Sequence, residues 1–150
     1  MKILALSALL LALVLTMLPV QLAVAQVEKN KEECDPVAYL TEAGEDLQTY
    51  GNALVEVDYT DARALYDIYV DVMEARHTYE DKTLCEDLKA INDVIVRIMT
   101  DIQDTLFFAF AAAYDPANEL EYADMITEVV QPRNTTNIAT FSELSQTLGR

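Results

Sequence analysis

Apolar residues recur three and four positions apart along almost the whole chain beyond residue 35, and a chain with that spacing buries its apolar side as helices. Strand-like alternation is missing, and only three Gly and four Pro interrupt 150 residues. Asp35 followed by Pro36 opens the first helix, an acid that can cap free backbone N–H groups ahead of a residue that has none. Val37, Leu40, Ala43, Leu47, Tyr50, Leu54 and Val57 form its apolar side, so it is expected to run to about residue 57. Gly44 and Gly51 fall on that side and read as tolerated at ~1 kcal/mol each.

A turn at residues 58–61 leads into a second helix with Leu65, Ile68, Val72, Ala75 and Tyr79 inward, broken at residues 80–83. Thr83 and Glu86 have the spacing of a capping box for the third helix. That helix carries Leu84, Leu88, Ile91, Ile95, Ile98, Ile102, Leu106 and Ala109 and is expected to reach Tyr114. Asp115 and Pro116 stop it and start a fourth, with Leu120, Ala123, Ile126 and Val130 on one side. Pro132 is expected to end the fourth helix, the Thr- and Asn-rich residues 133–140 to form a loop, and Phe141, Leu144 and Leu148 to mark a short terminal helix.

The predicted fold is therefore all-α: an antiparallel bundle of four main helices plus a short C-terminal helix, spanning residues 35–150, with one disulfide. Short connections favour antiparallel neighbours, which points the first and third helices the same way. Cys34 precedes the first and Cys85 sits at the start of the third, so the topology brings the two cysteines to one end. A bridge closing that loop stabilises by about 4 kcal/mol in the chain-entropy model.

Residues 1–25 read as a secretory signal peptide. Lys2 is its only charge, an apolar run fills residues 3–18, and Ala23, Val24 and Ala25 form the small-x-small site that a signal peptidase accepts. Cleavage there leaves a charged lead-in at residues 26–34, ahead of the helical domain, and no stable membrane insertion. The expected destination is secreted or periplasmic, where paired cysteines are the rule. Removing Lys2 leaves nine basic against 26 acidic residues, a formal charge of −17. Such a field repels nucleic acid and favours cationic partners.

Reagents for catalysis are scarce. The single histidine, His77, lies three residues after Glu74, the spacing used in di-iron helix bundles, but such a site needs a second Glu–His pair and a second histidine. Met73 and His77, four apart, are one turn from each other rather than on facing helices, so no haem site is read there. Asp67, Asp71 and Glu74 read as a solvated face. No cofactor and no metal ligand set is assigned. Asn134, Thr135 and Thr136 satisfy the glycosylation sequon within the expected loop. Tyr66 and Tyr69, beside Met73, make an aromatic stripe on the second helix, read mainly as flanking the core.

The segment that stands apart is residues 106–114, nine residues without a charge in an otherwise acidic chain. Leu106, Phe107, Phe108, Phe110 and Tyr114 are its candidate interaction or pocket residues, since a helix apolar on every side must be covered on every side. The C-terminal tail is expected to fold back over them. The function expected from the sequence is a non-catalytic extracytoplasmic interaction or structural module, with a protein partner or self-association. A carrier of a small apolar ligand seated near residues 106–114 is the alternative, and an enzyme the second alternative.

Overall fold

The Asp35 carboxylate accepts the N–H groups of Val37 and Ala38 at 3.0 and 3.1 Å, and the first helix starts there. A computed structural model describes residues 34–148; the signal peptide expected at residues 1–25 and the lead-in up to residue 33 lie outside the described residues. The described residues form helices joined by short turns, with no strand among them: α1 Pro36–Glu56, α2 Ala62–Glu80, α3 Glu86–Tyr114, a 3-10 turn Pro116–Asn118, α4 Glu119–Asp124, a π-helical turn Met125–Val130 and α5 Gln131–Leu148. Asp61 caps α2 as Asp35 caps α1, accepting from Arg63 and Ala64. Between them Tyr59 is buried and donates its hydroxyl to the Leu54 carbonyl at 2.6 Å, which closes the turn.

The start of α3 differs from expectation. Its N-cap is Cys85, with no side-chain cap, so Thr83 and Glu86 do not form the capping box. Glu86 instead pairs with Lys89 on the helix surface, and the bridge from Cys85 to Cys34 fixes this end, with Cα atoms 6.1 Å apart.

The central element is α3. Its 29 residues span about 44 Å, against about 32 Å for α1 and 28 Å for α2. Leu88, Ile91, Ile95, Ile98, Ile102, Leu106 and Ala109 are buried along it, and α1, α2 and the C-terminal helical arm all pack on it. Gly44 and Gly51 are both buried on α1.

The arm after Tyr114 is the main correction. Pro132 does not end a helix and residues 133–140 do not form a loop; the backbone stays helical from Glu119 to Leu148. Two features let it continue. The Gln131 N–H bonds to the Ile126 carbonyl, a five-residue step that ends directly before the proline, where no N–H is left to donate. The hydroxyls of Thr135, Thr136 and Thr140 each bond the carbonyl four residues back, so the threonines are satisfied within the helix. The buried side of the arm runs Ala123, Ile126, Val130, Asn134, Asn137, Phe141. Steps of four from 126 to 130 to 134 would drift about 40° each around a regular α-helix, and the wider π turn absorbs that drift. Leu120, expected on the covered side, is exposed.

Candidate functional site

Phe107 and Phe110 sit three apart on α3, beside its buried stripe, and Tyr66 and Tyr69 sit three apart on α2, beside the buried Leu65 and Val72. On a helix, three apart means one face. The two pairs meet: the Tyr66 ring lies 5.9 Å from Phe110 and stacks at 6.3 Å on Tyr69. Together the four rings line an open recess of about 220 Å³. Neighbouring rings brace it, with Tyr114 at 4.8 Å from Phe110 and Phe108 edge-on to Phe107 at 5.5 Å.

Of the five candidate residues in the uncharged segment, Leu106 belongs to the core and is fully buried. Phe108 and Phe110 are half-buried against that core. Phe107 is 51% exposed and Tyr114 73% exposed, so the segment is not covered on every side as its composition suggested. The arm and α2 each cover part of α3, and between them Phe107 and Tyr114 stay exposed near its C-terminal end. Tyr66, 52% exposed, completes the opposite wall. Both stripes are visible in the sequence, but their meeting depends on the pairing of α2 with α3, which fixes which rings face each other.

Two polar clusters brace the structure and do not enter the recess. Near the disulfide, the Tyr39 hydroxyl donates to Asn92 Oδ1 at 2.6 Å, Asn92 Nδ2 donates to the Tyr79 carbonyl at 3.1 Å, and the Tyr79 hydroxyl donates to Asp46 Oδ2 at 2.7 Å. Burial pushes both phenols well above the ordinary tyrosine range, and the charges of Glu42 and Asp46 add to it, so they remain donors at any physiological pH. Lys82 bonds Glu42 and lies 4.4 Å from the Tyr79 ring centroid.

The second cluster joins α3 to α5. Asp101, completely buried, accepts from Arg133 Nε and, at 2.8 Å, from Asn137 Nδ2, while Arg133 Nη2 reaches Asp104. Burial raises the Asp101 carboxyl above its ordinary value despite these donors. Beside it Asn134 is completely buried, and neither polar atom of its amide has a partner. The sequon asparagine is therefore in a helix with an inaccessible side chain, not in a loop.

The remaining candidate reagents are scattered. His77 is exposed beside Arg76 and Glu80, Asp67 pairs loosely with Arg63 at 3.9 Å, and Asp71 and Glu74 lie close enough to raise the Tyr50 phenol, after burial. Among the described residues no group of three or more His, Cys, Asp or Glu side chains is placed to hold a metal ion. No helix among them is long and apolar enough to cross a membrane. No protein-family model matches the chain, and neither the search of curated proteins nor that of solved structures finds a match.

Proposed function

We propose that the chain is an exported, non-catalytic interaction module: an antiparallel helical bundle, released after Ala25 into an extracytoplasmic compartment, that contacts a protein partner through the aromatic recess. The carrying observation is the recess itself, four rings open to solvent in a chain of formal charge −16. Half-exposed aromatic rings in a packed, well-braced cluster are the kind of group that dominates protein–protein contacts. The Cys34–Cys85 bridge supports the compartment, since such bonds persist outside the reducing cytosol.

The carrier reading is weaker on dimensions. Small-ligand sites run to ~300–1,000 Å³ and enclose most of the ligand. A recess of about 220 Å³ that opens to solvent suits one inserted side chain better. Native mass spectrometry of the protein from its own host tests the proposal. A stoichiometric protein partner, lost on Phe107→Ser and kept on Val55→Ser at another exposed apolar position, is the expected result. A retained small molecule, or a bare chain, overturns it.

A further inference from the structure

The end of α2 and α3 that carries the recess also carries a surplus of acid. Residues 58–70 and 103–118 contain Asp58, Asp61, Asp67, Asp104 and Asp115 against one base, Arg63. Asp104 is engaged by Arg133 and Asp67 pairs loosely with Arg63, which leaves Asp58, Asp61 and Asp115 as the further acids of this end, on the same elements as a recess walled by aromatic rings. The C-terminus of α3 and the N-terminus of α2 share this end, so their dipoles offset and the negative charge there is that of the aspartates. Two chemistries are thus juxtaposed, an apolar recess for one anchor and an anionic surround.

Other occupants fit less well. A second copy would bring another strongly negative surface against this one, and the repulsion opposes self-docking. The chain's own lead-in starts from the opposite end: after cleavage at Ala25, residues 26–33 extend at most about 28 Å. The distance along α3 from Cys85 to Phe107 is about 33 Å.

We infer that the recess docks a cationic segment of a partner protein, which seats one aromatic or branched aliphatic side chain among Tyr66, Tyr69, Phe107 and Phe110 while its lysines or arginines face the surrounding aspartates. This rests on the interaction reading above. The anchor supplies affinity by desolvating the rings, and the flanking charges supply attraction at a distance and register. Lys and Arg stems also lie well against exposed aromatic faces.

The chain contains no Trp, so a Trp-bearing peptide can be followed by its own fluorescence against the tyrosines. The probe is a synthetic peptide with a central Trp flanked by lysines. Two companions carry a fluorescent label, one with Gly in place of Trp and one with Glu in place of every Lys. The lysine–Trp peptide is expected to bind, to weaken with added salt, and to weaken about tenfold on Phe107→Ser, with the helical circular dichroism unchanged. Tyr66→Ser repeats the test from the other wall should Phe107→Ser disturb the fold. Equal binding of the Gly peptide, equal binding of the Glu peptide, indifference to both substitutions, or no binding at all overturns the inference. So does a dimer in sedimentation that Phe107→Ser dissolves. A native partner that is lost on Phe107→Ser while the lysine peptide fails to bind leaves the interaction module standing and removes its cationic specificity.

Discussion

Arg133→Met is expected to destabilise the fold by about 2 kcal/mol at pH 7, a sizeable part of the ~5–15 available to a small domain. The reasoning starts from Asp101, which is completely buried and whose carboxylate is held by Arg133 and Asn137. Removing one member of a fully buried pair costs ~3–5 kcal/mol, because the other charge is left without compensation. Arg133 is 44% exposed, so water already screens its side of the pair and the expected cost is lower. The cost should also depend on pH. Burial raises the Asp101 carboxyl, so the folded state takes up this proton before the unfolded state does. Stability from this group therefore grows as pH falls through the folded value, and stops growing below the unfolded value near ~3.9. Once protonated, Asp101 needs no cationic partner, and the Arg133→Met penalty should shrink as pH falls. Urea unfolding of wild type, Arg133→Met, Asp101→Asn and the double variant from neutral to mildly acid pH measures both effects. A change below about 0.5 kcal/mol at pH 7, or a penalty that is the same at every pH, refutes the account.

Replacing Cys34 and Cys85 together with serine should lower unfolding free energy by up to about 4 kcal/mol, read from urea midpoints, whereas unchanged midpoints would show the bridge to be dispensable. Added monovalent salt should stabilise the protein gradually, through screening of many carboxylates, and a sharp one-to-one stabilisation by a divalent metal would contradict this. Asn134→Leu should be neutral or stabilising, since it removes a buried amide without partners; a loss above about 1 kcal/mol would show a bound water or other partner at that amide. The same burial predicts that folded protein offered to a glycosylating enzyme gains no glycan at Asn134 by mass spectrometry, in contrast to an unfolded peptide bearing the sequon. A chain ending at Pro132 loses Asn137 and Phe141 and should expose apolar surface to a neutral dye.

Local chemistry makes the first three helices legible: Asp35 and Asp61 cap the first two, and in all three the spacing of the apolar residues selects the buried side, while the start of the third is not marked by a side-chain cap. The Cys34–Cys85 pairing followed from topology rather than from local sequence. The arm departs from its local sequence signals for a physical reason. Thr and Asn favour turns when their side chains compete for backbone groups, but here the threonine hydroxyls bond back within the helix, and Arg133 and Asn137 are drawn to Asp101. A hint was present, because Asp101 interrupts an otherwise apolar stripe between Ile98 and Ile102 and so required a partner. The recess was half legible. Phe107 and Tyr66 stand out singly, but the uniform apolarity of residues 106–114 cannot tell the buried Leu106 from the open Phe107.

The Cys34–Cys85 bridge also decides how the molecule would bear mechanical load. Tension applied between the two ends of the chain crosses the sulfur bridge from Cys34 to Cys85 and enters α3 directly, bypassing α1 and α2. Those two helices hang beside the line of force, while α3 and the arm carry it, with the Asp101–Arg133 link as a lateral tie between them. Stretching would therefore peel the arm from α3 before it could unwind anything inside the closed loop. Reducing the bridge would bring α1 and α2 into the line of force for the first time.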